Sequence, residues 1–261
     1  MPILERQGIK LFHSDSGSGR PPMLFVHGFC GDHRHFEPQL AHFGQRHRVV
    51  AVDRRGHGQS DKPEQEYTIT GFAEELGWTI RELGLDHPVV VVHSMGVIGV
   101  ELAARHPELA SALVLIDAPV FVPPQMVEAF QGALAGMRTP AWQQVVRGFA
   151  DQVAFVPGDR SERKQAIVGR MCSVPQQVVV STWANYLTHD PAPALGELRL
   201  PLLVIRSAMP VDAARLRALC PQTEFAEVAG SGHFCHLETP ATVNRLIETF
   251  IARAVPTERA A

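Results

Sequence analysis

The chain has 261 residues, 45% hydrophobic and 20% charged, the balance of an ordinary globular enzyme with enough length for one well-cored domain. Its formal net charge of −3 gives no electrostatic footing for nucleic acid or an anionic membrane surface. No apolar run approaches ~20 residues, so no segment reads as a bilayer span, and Met1-Pro2-Ile3-Leu4-Glu5-Arg6 lacks the basic-then-apolar pattern of a secretory signal.

In chain order, Met23-Leu24-Phe25-Val26 is a short strand-like run that stops at His27-Gly28-Phe29. Arg48-Val49-Val50-Ala51-Val52 is a second, followed by Asp53-Arg54-Arg55-Gly56-His57-Gly58-Gln59-Ser60. Thr70 then stands as the cap of a helix whose apolar positions Phe72, Leu76, Ile80 and Leu83 recur at helical spacing. The four valines at 89–92 predict a buried strand that ends abruptly in His93-Ser94-Met95-Gly96, after which Val97, Val100, Glu101 and Ala104 begin a helical pattern. Turning from strand to helix at a serine strains its backbone and lifts its hydroxyl above the sheet edge. The helix N-terminus behind it offers free N–H groups to a developing negative charge. The usual elbow, G-x-S-x-G, has glycine two residues before the serine, where this chain has Val92. A further strand at 112–116 ends in Asp117-Ala118-Pro119.

Residues 119–196 lack valine-rich core strands and are punctuated by prolines, with helical pieces at 126–137, 141–153, 163–172 and 176–187. Strand patterns return at 202–205 and 224–228, followed by the loop Ala229-Gly230-Ser231-Gly232-His233-Phe234. The last helix opens with Thr239 as cap and Pro240 in its first turn, and Val243, Leu246, Ile247, Phe250 and Ile251 form its apolar face. Pro256-Thr257-Glu258-Arg259 reads as a frayed tail. Strands alternating with amphipathic helices predict an α/β fold, its mostly parallel sheet covered on both faces.

The strand–HG loop, the D-x-R-G-H-G-x-S segment at 53–60, the HSMG elbow and the late G-x-G-H-F occur in one order and spacing. In these the chain closely resembles the α/β-hydrolase superfamily, over about residues 5–118 and 197–253. The resemblance implies an α/β-hydrolase core at 1–118 and 197–261, with 119–196 as a helical cap over the elbow. It implies Ser94 as nucleophile, His233 as its base, and the backbone N–H groups of Phe29 and Met95 as the oxyanion hole. His27 is expected to brace the HG loop, His93 to pack behind the serine and His57 to belong to the 55–58 turn. Two carboxylates compete for the third place. Asp117 sits directly at a strand end, where some hydrolases of this fold carry their acid, although it could instead cap the turn into the insertion. Asp212 comes seven residues after Ile205 and precedes Ala213-Ala214-Arg215-Leu216, a helix-cap pattern. Asp117 is preferred.

The expected reaction is hydrolysis of an ester or lactone through an acyl-enzyme on Ser94. The aromatic residues of the insertion favour a small-molecule substrate with an apolar or aromatic portion, with Phe29, Phe121, Trp183 and Phe234 as expected contacts. The alternative is a cofactor-free ring-cleaving dioxygenase of the same fold using a His233/Asp117 dyad. Asp32-His33-Arg34 matches that group, whereas Met95 and Gly31 stand where it places histidines. No cofactor is implied. His33, His35, His42 and His47 cluster in sequence without zinc-site spacing, so no metal is expected. The four scattered cysteines, without a C-x-x-C pair, fit thiols in a reducing cytoplasm.

Overall fold

A strand that is apolar at every position has no face to offer water, so it requires helices on both sides. The computed structural model, which describes residues 2–255, meets that demand; Pro256-Thr257-Glu258-Arg259, expected to fray, lies outside the described residues. Among the described residues eight strands form one sheet: β1 (Ile3–Arg6), β2 (Ile9–Ser16), β3 (Met23–Val26), β4 (Val49–Val52), β5 (Val89–His93), β6 (Ala112–Ile116), β7 (Leu202–Arg206) and β8 (Thr223–Glu227). Their spatial order is β1-β2-β4-β3-β5-β6-β7-β8. The pairs β1–β2 and β2–β4 are antiparallel and all others parallel.

Alternation along the central strands divides the core into two layers. Leu24, Val26, Val90, Val92, Leu113 and Leu115 pack on one face, while Met23, Phe25, Val89, Val91, Val114 and Ile116 pack on the other. The second face is covered by α1 (Glu37–Phe43) and, across the chain, by Val243, Ile247 and Phe250 of the last helix. The first face carries α2 (Ile69–Glu82) and α3 (Gly96–Arg105). Thr68, rather than the expected Thr70, caps α2, its hydroxyl accepting the Gly71 N–H at 2.9 Å.

Between β6 and β7 the chain leaves the sheet and forms α4 (Val127–Met137), α5 (Trp142–Val153), α6 (Ser161–Met171) and α7 (Gln176–Thr188), near the expected bounds, then the short α8 (Ala192–Glu197). After β7 come α9 (Ala213–Leu219), α10 (Cys235–Glu238) and α11 (Pro240–Ala254). Pro240 opens α11 as expected, but Thr239 makes no cap: its hydroxyl donates back to Cys235 O at 2.9 Å. Among the described residues no helix is long and apolar enough to cross a membrane.

Candidate active site

The parallel strands share one carboxyl edge, and the loops leaving it carry the polar residues singled out in the sequence. Ser94 follows β5 directly and adopts φ 64°, the left-handed region that a sharp strand-to-helix turn imposes. The bulk of Val92, in place of the customary glycine, is accommodated from α3. A Cβ on Gly99 would lie 2.8 Å from Val92 Cγ2, so the glycine of this elbow has in effect moved onto the facing helix. Gly28 is equally constrained, since a Cβ there would stand 2.5 Å from Ser94 Cβ. The Gly28–Phe29 peptide therefore lies against the serine.

The loop after β8 brings His233 to the same edge. Its backbone N–H donates to Ala154 O at 2.8 Å, its carbonyl accepts from His93 Nε2 at 3.0 Å, and its Nδ1 lies 2.7 Å from Asp117 Oδ2. An ionised carboxylate only accepts, so Nδ1 carries the proton and Nε2 keeps a lone pair. Asp117 is fully buried at φ 43°. Its carboxylate also accepts the backbone N–H groups of Ser207 at 2.8 Å and Met209 at 3.1 Å. The turn after β7, which carries no acid, thus supplies donors that hold the acid of the neighbouring strand. Asp212 accepts the Arg215 N–H at 3.0 Å and caps α9. Of the two carboxylates weighed from the sequence, Asp117 is the one brought to His233.

Ser94 and His233 line one cavity, with the Ser94 hydroxyl free of hydrogen bonds among the described residues. The two expected oxyanion donors differ. The Phe29 N–H has no partner among the described residues, whereas the Met95 N–H donates to His93 O at 2.7 Å. The positive φ of Ser94 folds residues 93–95 into a γ-turn in which this amide meets His93 O.

His27 is buried in the HG loop, its Nε2 accepting the Arg54 N–H at 3.1 Å and its Nδ1 donating to Gly28 O at 2.9 Å. His57 belongs to the 55–58 turn through Arg55 O at 3.1 Å. Burial above all holds the pKa values of His27, His57, His93 and His236 well below the usual histidine value.

Phe29, Trp183 and Phe234 line the cavity. The ring centroids of Phe29 and Trp183 are 4.7 Å apart, and Trp183 Nε1 donates to Phe130 O at 3.0 Å. Tyr186 donates its hydroxyl to Pro119 O at 2.9 Å, so the polar tips of both large aromatics are already engaged. Phe121 is placed elsewhere: it packs under the Arg215 guanidinium, 3.8 Å from its ring centroid, on the side of α9, and is not among the residues lining the cavity. Phe130 and Phe149, counted in the sequence only among the aromatic residues of the insertion, also line the cavity, as does His35, which the sequence did not point to. His35 is buried, its ring nitrogens without a hydrogen-bond partner among the described residues, and burial pushes its pKa down to about 4. The histidines near it in sequence go elsewhere: His33 to Asp53, His42 to Glu248 and His47 to Pro21 O.

Comparison with known proteins agrees in kind. A family model described as alpha/beta hydrolase fold matches residues 21–164. A 2-(acetamidomethylene)succinate hydrolase of Mesorhizobium japonicum is 30% identical over 250 residues, 91% of this chain and 90% of that one. The solved structure of an N-acyl homoserine lactone degrading enzyme superposes with TM-score 0.74 at 25% identity, covering 95% of this chain and 100% of that one. A thermophilic esterase from Thermogutta terrifontis superposes with TM-score 0.84 over 98% of each chain; at 22% identity this likeness speaks to the fold alone.

Proposed function

This chain belongs to the α/β-hydrolase family, and from that premise we propose that it is a serine hydrolase cleaving carboxylic esters or lactones that carry an apolar or aromatic portion. The observation that carries the reading is the 2.7 Å contact between His233 Nδ1 and buried Asp117, in a cavity shared with Ser94. The Ser94 hydroxyl adds to the substrate carbonyl carbon while its proton passes to His233 Nε2. Negative charge then collects on the carbonyl oxygen, facing the Phe29 N–H. Collapse of the tetrahedral species expels the alcohol oxygen, which takes the proton from His233 and leaves an acyl group on Ser94. Water, giving a proton to the same imidazole, adds to the acyl carbon, and the acid is released as the bond to Ser94 Oγ breaks and that oxygen takes the proton back from His233. Throughout, Asp117 holds the imidazole in the productive tautomer and stabilises its charged form.

The cavity walls set the substrate class. Among the described residues no lysine or arginine lines the cavity, and its aromatic tips are engaged with backbone carbonyls. A doubly charged succinate, as in the name of the Mesorhizobium relative, would find no cationic partner there, while an aryl or alkyl ester or an acyl lactone meets apolar walls. All four cysteines are unpaired, in keeping with a reducing cytoplasm as the site of action.

A panel of aryl esters, alkyl esters and lactones, assayed on wild type and Ser94→Ala in oxygen-free buffer, tests the reading. Turnover of at least one class without oxygen, abolished in Ser94→Ala, is expected. Oxygen uptake on a hydroxyquinolone with no hydrolysis of the panel would replace it with the dioxygenase reading.

A further inference from the structure

We infer that Arg54 is a positioning residue whose guanidinium holds the Gly28 carbonyl turned away from Ser94 and thereby aims the Phe29 N–H at the oxygen of the reacting carbonyl. The inference rests on the acyl-transfer reading of Ser94.

Arg54 is 1% exposed and lies behind the HG loop. Its NH2 group donates to Gly28 O at 2.8 Å. The same oxygen accepts from His27 Nδ1 at 2.9 Å and from the Gly31 N–H at 3.2 Å. Three donors on one carbonyl exceed its two lone pairs, so this oxygen is held more firmly than an ordinary loop carbonyl. Arg54 also governs the second donor. Its backbone N–H occupies His27 Nε2 at 3.1 Å, which leaves the imidazole proton on Nδ1, facing Gly28 O.

In a trans peptide the C=O and the following N–H point in opposite directions. Anchoring Gly28 O on the Arg54 side therefore turns the Phe29 N–H to the other side. Gly28 packs against Ser94 Cβ, and the Phe29 N–H has no partner among the described residues. A charged donor on the carbonyl also polarises the amide, which strengthens its N–H toward an anion. The orientation matters more here because the Met95 amide is taken up by His93 O.

A purely structural arginine would not be built this way. Among the described residues its Nε and Nη1 have no hydrogen-bond partners, and the carboxylate of Glu75 is committed to Arg55 at 2.9 Å. The guanidinium stacks 4.5 Å from the centroid of the Phe72 ring, a contact that a buried methionine or leucine would make without desolvating a charge.

The test compares wild type, Arg54→Met and Arg54→Lys for kcat and KM on p-nitrophenyl butyrate, and for binding of phenylboronic acid and of phenol. The boronic acid forms a bond from Ser94 Oγ to boron, gives the serine proton to His233, and places an oxygen where the carbonyl oxygen would be. Phenol probes the apolar cavity alone. Arg54→Met is expected to lower kcat about 10²-fold, with KM and phenol affinity within threefold and boronate affinity falling with kcat. Arg54→Lys is expected to recover at least tenfold of the loss. Wild-type kcat and boronate affinity in folded Arg54→Met overturn the inference, as does parallel loss of phenol and boronate binding. Should Arg54→Met not fold, Arg54→Gln takes its place, and unchanged kcat and boronate affinity in that variant overturn it equally. A wild-type protein that neither cleaves the ester nor binds the boronate fails the Ser94 reading itself, and this inference falls with it.

Discussion

Asp117 shows how one residue can carry a strained backbone and a site at once. It sits at φ 43°, fully buried, with its carboxylate held by two backbone N–H groups and His233. Aspartate tolerates the left-handed region better than most residues, so the strain is modest and the carboxylate is locked in one orientation. Asp117→Asn keeps the shape but turns an amide toward existing donors. We expect it to lower kcat by about 10²–10⁴-fold with folding retained, by analogy with other triads. Asp212→Ala removes a helix cap and should cost about 1 kcal/mol, with kcat unchanged. Ester kinetics and urea unfolding of the two variants check this; the reverse pattern would make Asp212 the acid. Asp117 was legible because it abuts a strand end. Arg54 was not, because a charged residue in a turn-rich segment reads as surface until the HG loop and α2 are packed over it.

At the scale of elements, the helices between β6 and β7 do more than cover the cavity. The end of α5 touches the histidine loop: Ala154 O accepts the His233 N–H at 2.8 Å, and a Cβ on Gly232 would stand 2.8 Å from that same oxygen and 2.3 Å from Asp159 Oδ2. Gly232→Ala must therefore push the helical segment and His233 apart. We expect kcat to fall at least tenfold, with a displaced His233 ring in the variant structure; wild-type kcat would show that the loop absorbs the methyl. Trp183 stands among Phe29, Phe130, Phe149 and Tyr186, with ring centroids 4.7–5.6 Å away. Trp183→Phe keeps part of that packing and opens space, so kcat/KM should shift from acetyl toward longer acyl esters. An unaltered chain-length profile would make Trp183 packing alone.

The same scale shows where the sequence was readable. Helix positions in the insertion followed from the proline breaks and apolar spacing, because each short helix needs only a local signal. The cap of α2 was misplaced by two residues because the apolar period begins at Phe72, while Ile69, buried against the sheet, already belongs to the helix. Phe121 misled because proximity in sequence to the strand end says nothing about which side of the loop its ring takes. The strained Ser94 backbone was legible in the strand-to-helix pattern, but the hydrogen bond it sets between the Met95 N–H and His93 O was not.

For the whole molecule, the double-faced sheet fixes where chemistry can occur and also sets the response to acid. His27, His35, His57, His93 and His236 are all held neutral by burial. For a histidine whose folded pKa lies below 6.5, the unfolded chain binds the proton first. The associated stability is present above about pH 6.5 and is lost as pH falls toward the folded value. For His35, with its pKa pushed down to about 4, the loss is about 3 kcal/mol between pH 7.5 and 4. Urea unfolding of His35→Gln across that range should show a shallower acid dependence than wild type, and an identical slope would mean that His35 does not carry it.

In the proposed reaction Ser94, activated by the His233–Asp117 pair, forms a covalent intermediate. Intact-protein mass spectrometry after exposure to a serine-directed aryl phosphonate reads this directly. A single adduct is expected on wild type, none on Ser94→Ala, and markedly slowed formation on Asp117→Asn. Undiminished labelling of Ser94→Ala, or labelling of Asp117→Asn at the wild-type rate, would contradict the proposed reaction.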